Sequence, residues 1–363
     1  MQDIYHTIVV DLTNANQRFD RFLRKFYKPY TTVTLPTIYS WIRKWHIRVN
    51  DKKGKEDGKV ILWDKISINL TRTTPLVQSS KSSTSYSSAH TAAFEQETIQ
   101  KNIIQEDDNW LVFNKPPHIL MHPWSWSSLK AVTMNDWLYS YLNISRRDTG
   151  EEEITKWSMF KPSFCFRLDK DTSGVLIAAK KYDALQYLNK EIKERHIVKR
   201  YVVVVQWKLP KKLTIDKPLF KWFHAEKWRA HMFVNYEKWL ESKTHIFHIA
   251  DTTKDKIWTL SLGLVRILTG RMHQIRVHAA NEWFPVLWDK DYGNESITRI
   301  AYKELWVTRQ LLHSFSYSFH DIYTKSEQNF IAPLPADIKK IFWQIDEKKI
   351  QEIIQQHLNS SHT

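Results

Sequence analysis

RLDKDTSGVLIAAK, residues Arg167 to Lys180, joins a tight cluster of charges to a strand-like apolar run, and the rest of the chain is read outward from that junction. Asp169 stands between Arg167 and Lys170, just ahead of a Ser-Gly turn. A carboxylate flanked by cations is favoured in its ionised form. An ionised aspartate can serve as a nucleophile or as a base. Taken alone, Arg-Leu-Asp-Lys-Asp is more often a solvated loop. Its weight comes from the segments before and after it.

On both sides lie further strand-length runs: IIQEDDNWLVFNKP (103–116), KRYVVVVQWK (199–208) and LGLVRIL (262–268). Between two of them YDALQYLNKEIKE (182–194) has the period of an amphipathic helix. Together they predict an α+β domain over residues 101–345, built on a large mixed or antiparallel β-sheet flanked by helices and loops, with a polar tail at 346–363. Nearer the N-terminus, QRFDRFLRKFY places Phe19, Phe22, Leu23 and Phe26 on one helical stripe. TIYSWIRKWHIRVND continues with Ile38, Trp41 and Ile42 on a second helix, then a short strand through Ile47 and Val49. VILWDKISI closes a small α/β unit over 17–70, preceded by an N-terminal extension at 1–16. Residues 71–100 are dominated by Ser and Thr and read as a flexible linker.

Composition narrows the partner. The 363 residues carry a formal charge of +15, with lysine and arginine spread along the whole chain. Such a surface suits a polyanion, nucleic acid above all. No apolar run approaches the roughly 20 residues that span a bilayer, and the N-terminus lacks the basic and apolar regions of a secretory signal. Cys165 is the only cysteine, so neither an intramolecular disulfide nor a cysteine zinc site can form. A cytoplasmic protein is expected.

Four blocks then occur in a telling order: Glu106–Pro123 (EDDNWLVFNKPPHILMHP), Arg167–Lys180, Lys199–Val205 (KRYVVVV) and Leu268–Ala280 (LTGRMHQIRVHAA). In this order they resemble the pseudouridine synthases that modify large-subunit ribosomal RNA and some transfer RNAs. The region around 17–70 resembles the S4 RNA-binding domain. The first resemblance implies that Asp169 is the catalytic aspartate, that Arg276 pairs with it, that Tyr201 lies beside the target base, and that Arg167 fills the space left by a flipped-out uridine. The second implies that Arg43, Lys44, Arg48 and Lys52 face the RNA backbone. Neither cofactor nor metal is implied, nor an obligate protein partner, and a monomer is expected. Asn-Lys-Pro-Pro by itself is only a turn signal. His273, His278 and His313 have no ligand spacing, and His118 and His122 flank prolines. The family usually has His before Arg-Leu-Asp, where this chain has Phe166. The rival readings are a transfer RNA synthase, a non-catalytic S4-type RNA-binding or ribosome-assembly protein, and an RNA hydrolase. The S4-like unit and the Ser-rich MHPWSWSS segment lean towards a ribosomal over a transfer RNA enzyme. The non-catalytic protein would need that unit but not Asp169, Tyr201 and Arg276 together, and the hydrolase would want paired carboxylates or histidines for metals.

One compositional anomaly stands apart from these blocks. The chain has 17 Trp and 7 Gly, whereas glycine ordinarily makes up about 7% of residues. Many of the tryptophans stand where the matched families place glycine: Trp45, Trp63, Trp207, Trp283 and Trp288 at loops and turns, with Trp124, Trp126, Trp228, Trp239 and Trp306 similar. An indole fits poorly where a positive φ is needed. The pattern is what a UGA codon read as glycine in the cell would leave in a chain written with tryptophan.

Overall fold

The computed structural model describes residues 5–10, 15–27, 33–73, 96–122, 131–144, 160–224, 229–236, 240–254 and 257–359. Most of the Ser/Thr-rich segment, and Trp124, Trp126, Trp228 and Trp239, lie outside the described residues. Two units are present, Met1–Ala93 with Ile144–Lys161, and Phe94–Asn143 with Pro162–Thr363.

The first unit contains β1 (Tyr5–Val9), α1 (Phe19–Phe26), α2 (Leu35–Arg43), β2 (Ile47–Val49), β3 (Lys52–Lys53), β4 (Lys65–Asn69) and α3 (Leu70–Thr73). Its four strands form an antiparallel sheet in the order β1-β4-β2-β3. Residues 5–9 of the N-terminal segment thus complete the sheet by pairing along β4. The helical stripe read from sequence is its core: Phe19, Phe22 and Leu23 of α1 and Ile38 and Ile42 of α2 close over Ile66 and Ile68 of β4. Pro36 sits in the first turn of α2, where its missing N–H leaves no bond unmade.

The second unit begins with α4 (Gln96–Lys101), β5 (Ile103–Glu106), β6 (Trp110–Lys115), α5 (Met134–Tyr141), β7 (Ser163–Phe164), β8 (Ser173–Ala179), α6 (Tyr182–Glu194) and β9 (Val198–Gln206). It continues through β10 (Lys212–Asp216), β11 (Leu219–His224), β12 (Arg229–Val234), β13 (Lys243–Lys254), β14 (Ile257–Ile267), α7 (Gln274–Asn281), α8 (Glu295–Leu305), β15 (Leu312–Asp321), β16 (Ser326–Ile331), α9 (Ala336–Ile341) and α10 (Glu347–Asn359). Ten strands form one mixed sheet, ordered β10-β13-β14-β9-β15-β8-β6-β5, with β16 on β15 and β7 on β8; β11 and β12 make a separate hairpin. The α+β architecture expected from sequence is therefore present.

Strand alternation explains why the sheet is covered on both faces. In β9, Tyr201, Val203 and Val205 enter one apolar cluster, shared with α5 and α6. Val202 and Val204 enter the other, shared with α8, α9 and α10. A run of four valines can be apolar throughout only where both sides of the pleat are dry. Every pair in the sheet is antiparallel except one, β15 with β8, where His313 faces Ser173 and Ser314 faces Gly174. At this parallel seam Gly174 has φ +108°, and a Cβ there would stand 2.1 Å from the Ser314 carbonyl oxygen. The Ser-Gly pair is thus the first part of β8 and not a turn. The turn lies just before it, closed by the Thr172 N–H on the Asp169 carbonyl at 3.2 Å.

Candidate active site

Asp169 sits on that turn, at the mouth of the seam, with about a quarter of its side chain exposed. The turn is fixed by the ends of the two strands flanking β8. From β6, Lys115 is wholly buried and its Nζ donates to the carbonyls of Lys170 (2.8 Å), Thr172 (2.9 Å) and Pro116 (3.0 Å). Burial draws this lysine down to about 7, against the opposing pull of Asp171 and Asp169. Ahead of β15, buried Arg309 donates to the Asp171 carbonyl at 3.1 Å and forks onto Asp337. Gln310 donates to Thr172 Oγ1 at 2.9 Å. Two buried cations thus take the three successive carbonyls that follow Asp169. Backbone groups that would otherwise be costly to dehydrate become the clasp of the loop. The Asn-Lys-Pro, which reads in sequence as a turn signal, supplies half of this clasp.

Arg276 lies on α7, directly after β14, and reaches Asp169 Oδ2 with Nη1 at 3.1 Å. It is itself held more tightly elsewhere. Nε and Nη2 grip the two oxygens of buried Asp289 at 2.7 Å each, and Nη2 also donates to Asp291 at 2.7 Å. The guanidinium lies over the Tyr292 ring, 5.1 Å from its centroid. Burial alone would lower the proton affinity of Arg276; the carboxylates of Asp289, Asp169 and Asp291 more than reverse this, so it remains charged. A planar fork saturated along one edge by Asp289 has a fixed orientation. One of the two N–H groups left, both on Nη1, is aimed at Asp169. Arg167 and Lys170, the cations beside Asp169 in sequence, are exposed and make no ion pair with it.

His273 precedes α7 in a left-handed conformation, φ 53°, and its Nε2 lies 3.8 Å from Asp169 Oδ2. Burial lowers its proton affinity, which favours the neutral ring. Its Nδ1 is 2.9 Å from the Tyr292 hydroxyl, which already accepts the Met232 N–H at 3.1 Å. Which of the two donates depends on the imidazole tautomer; the tautomer that accepts the Tyr292 hydroxyl proton at Nδ1 carries its own proton on Nε2, the nitrogen nearest the aspartate. His278 and His313 occupy separate niches, bonded to Thr244 and Ser242 and to Ser173 respectively. Among the described residues these three histidines form no metal-binding group. His118 stands on a turn and pairs with Asp171 at 2.8 Å.

Tyr201 of β9 is 6% exposed. Its hydroxyl is 3.2 Å from that of Tyr317 on β15, whose ring stacks on Phe166 at 4.3 Å and 5°. Burial pushes Tyr201 up to about 12, so it is a neutral phenol at ordinary pH. Arg43 and Lys44, where α2 ends, and Lys52 in β3 are exposed. Arg48 is half-buried, donating to the Tyr5 hydroxyl at 3.0 Å with its guanidinium over that ring.

Sequence reading did not single out Lys115, Arg309, Asp289, Asp291, Tyr292 or Tyr317. One signal was available. Asp-Lys-Asp occurs twice, at 169–171 and at 289–291, and Arg276 bonds Asp169 from one copy and both acids from the other.

An aspartate on a clasped turn at a strand seam, oriented by a guanidinium from the following helix, accompanies a match to the RNA pseudouridylate synthase family over residues 109–281. The chain belongs to this family of RNA-modifying enzymes. It is 30% identical to ribosomal large subunit pseudouridine synthase C of Buchnera aphidicola subsp. Schizaphis graminum, over 92% of this chain and 95% of that one. It is 27% identical to ribosomal large subunit pseudouridine synthase D of the same organism, over 90% and 93%. Among solved structures, human RNA pseudouridylate synthase domain containing 1 shares the fold, with a TM-score of 0.50 at 22% identity over 64% of this chain and 82% of that one.

Proposed function

We propose that the chain isomerises specific uridines of large-subunit ribosomal RNA to pseudouridine, with Asp169 as the catalytic group. The observation that carries the assignment of the residue is the position of Asp169, clasped at its backbone by Lys115 and Arg309 and met at its carboxylate by Arg276. The relatives' printed names support the ribosomal substrate. In the reaction the N1–C1′ bond of uridine breaks, the uracil turns in place, and C5 bonds to C1′. The proton on C5 is lost and N1 gains one. Asp169 either attacks C1′ or removes a proton from C2′. The product is an isomer of the substrate, so no external redox partner enters the balance.

A uridine inside a helix must first leave its stack. Arg167 takes the gap in this reading, which its exposure and its position two residues from Asp169 support. Tyr201, held as a neutral phenol, offers a flat wall and a hydrogen bond to the base, not a phenolate base. The first unit acts as an S4-type RNA-binding domain, with Arg43, Lys44 and Lys52 on the phosphates and Arg48 more constrained by Tyr5. Action as a cytoplasmic monomer completes the reading; among the described residues no helix is long and apolar enough to cross a membrane.

The test is tritium release from RNA labelled at C5 of uridine, with large-subunit ribosomal RNA and transfer RNA as parallel substrates. Release from the ribosomal substrate by the parent and none by Asp169→Asn is expected. Release from transfer RNA alone would move the substrate. Release by Asp169→Asn would remove the aspartate from its role, and binding without release by the parent would leave a non-catalytic RNA-binding protein.

A further inference from the structure

Fourteen described residues other than glycine have a positive φ, and six of them are tryptophan: Trp45 (62°), Trp63 (72°), Trp207 (74°), Trp283 (68°), Trp288 (63°) and Trp306 (58°). Twelve tryptophans lie among the described residues, so half of them adopt a backbone that a bulky L-residue seldom adopts. We propose that the protein made in its own cell carries glycine at these six positions, each encoded by UGA.

The local geometry repeats the places where glycine is structurally required. Trp45 and Trp283 follow α2 and α7 in Schellman motifs. The Trp45 N–H meets the Ile42 carbonyl at 3.2 Å and the next N–H, of His46, reaches back to Trp41 at 2.9 Å. Trp283 and Phe284 do the same with Ala280 (3.1 Å) and Ala279 (2.9 Å). Trp306 ends α8 with its N–H on the Tyr302 carbonyl at 3.1 Å, the simpler left-handed cap. Trp63 and Trp288 are the third residues of two β-turns of like sequence, Leu62-Trp63-Asp64 and Leu287-Trp288-Asp289. These turns are closed by Asp64 on Ile61 at 3.1 Å and Asp289 on Val286 at 3.2 Å. A positive φ at that place is the glycine position of a type II turn. Trp207 terminates β9.

The side chains give a second, independent line. Trp63, Trp283 and Trp306 are more than 70% exposed, and Trp45 and Trp207 at least 40%. Trp288 is partly covered, but its Nε1 is buried without a hydrogen-bond partner. Trp110 and Trp137 differ from these six in backbone and exposure. Both are at most 2% exposed in the core, neither has a positive φ, and Trp110 donates from Nε1 to Asp321 at 3.2 Å. Among the described residues the backbone divides the tryptophans into six with a positive φ and six without, as two codons would produce, while exposure does not divide them as cleanly, since Trp222 (52%) and Trp343 (81%) are exposed without a positive φ. Exposed indoles could instead serve as stacking platforms for RNA bases. That role calls for an accessible ring, not for a left-handed backbone recurring at helix ends and turns. The consequence reaches the active site, because the Trp288 turn delivers Asp289 to Arg276.

The deciding measurement is peptide mass spectrometry of the protein isolated from its own organism, beside the codons of its gene. Glycine at residues 45, 63, 207, 283, 288 and 306 from UGA, with tryptophan at 110 and 137 from UGG, is expected. Tryptophan in the native peptide spanning residue 288, or UGG at the six positions, overturns the proposal. In the recombinant tryptophan-bearing chain, W283G and W306G should each raise Tm by roughly 2 °C or more, while W110G should lower it sharply; a fall at all three would also overturn it.

Discussion

Asp289 shows how far the geometry around Asp169 rests on a residue buried behind Arg276. It is 1% exposed and holds two of the nitrogens of Arg276. Asp289→Asn keeps the shape but leaves a buried guanidinium with one fewer charge partner, at a cost of about 3 kcal/mol. Urea unfolding should register that loss, and tritium release should fall because Arg276 no longer aims a fixed N–H at Asp169. Lys115→Met retains the apolar stem while stripping two loop carbonyls of their donor, each worth about 1–3 kcal/mol when left buried. Turnover is expected to drop well below the parent's while filter binding to RNA stays unchanged; unchanged turnover would show that Arg309 suffices to hold the loop. Asp169 and Arg276 were singled out in the sequence through the family resemblance of the blocks that contain them. Lys115 was not, since a lysine before two prolines looks alike whether it is solvated or buried.

Among the elements, the β8–β15 seam is the most constrained. A methyl group on Gly174 would meet the Ser314 backbone at 2.1 Å while the chain is held at φ +108°. Gly174→Ala should therefore destabilise by roughly 2–3 kcal/mol or more, measurable by urea unfolding. The seam also contains a pH-sensitive contact. His313 is fully buried against Ser173, and burial, aided by Arg309, lowers it from 6.5 to about 3. Below pH 6.5 the unfolded chain gains a proton that the folded one refuses. Stability is then undiminished above pH 6.5 and declines as pH falls towards 3, by an amount on the order of 4 kcal/mol. Urea midpoints across that window should follow this slope, and His313→Gln should flatten it. The strands and helix of this region were legible from their periods. The parallel pairing was not, because a fully apolar run such as Val175–Ala179 carries no mark of which neighbour it will have.

For the whole molecule, the charge of +15 sets the behaviour with RNA. Replacing Arg43, Lys44 and Lys52 together by alanine should weaken rRNA binding and reduce the slope of log affinity against log salt by about 2, since each phosphate contact contributes roughly 0.7–0.9. An unchanged slope would take the RNA-facing role away from these three residues. The sequence by itself determined the α+β class, the order of the four blocks and the anomaly of the tryptophans, all of which depend on residue type and local period that a linear chain displays directly. It pointed to Asp169 and Arg276 through the resemblance of those blocks to a known family. Only the tertiary structure decided that two Asp-Lys-Asp turns converge on one guanidinium. It alone decided that buried Lys115, at the end of β6, and Arg309, ahead of β15, clasp the Asp169 loop, and that six tryptophans share a left-handed backbone. Those facts join residues 55, 107 and 138 positions apart, or depend on dihedral angles, and both are fixed only when the strands have found their partners.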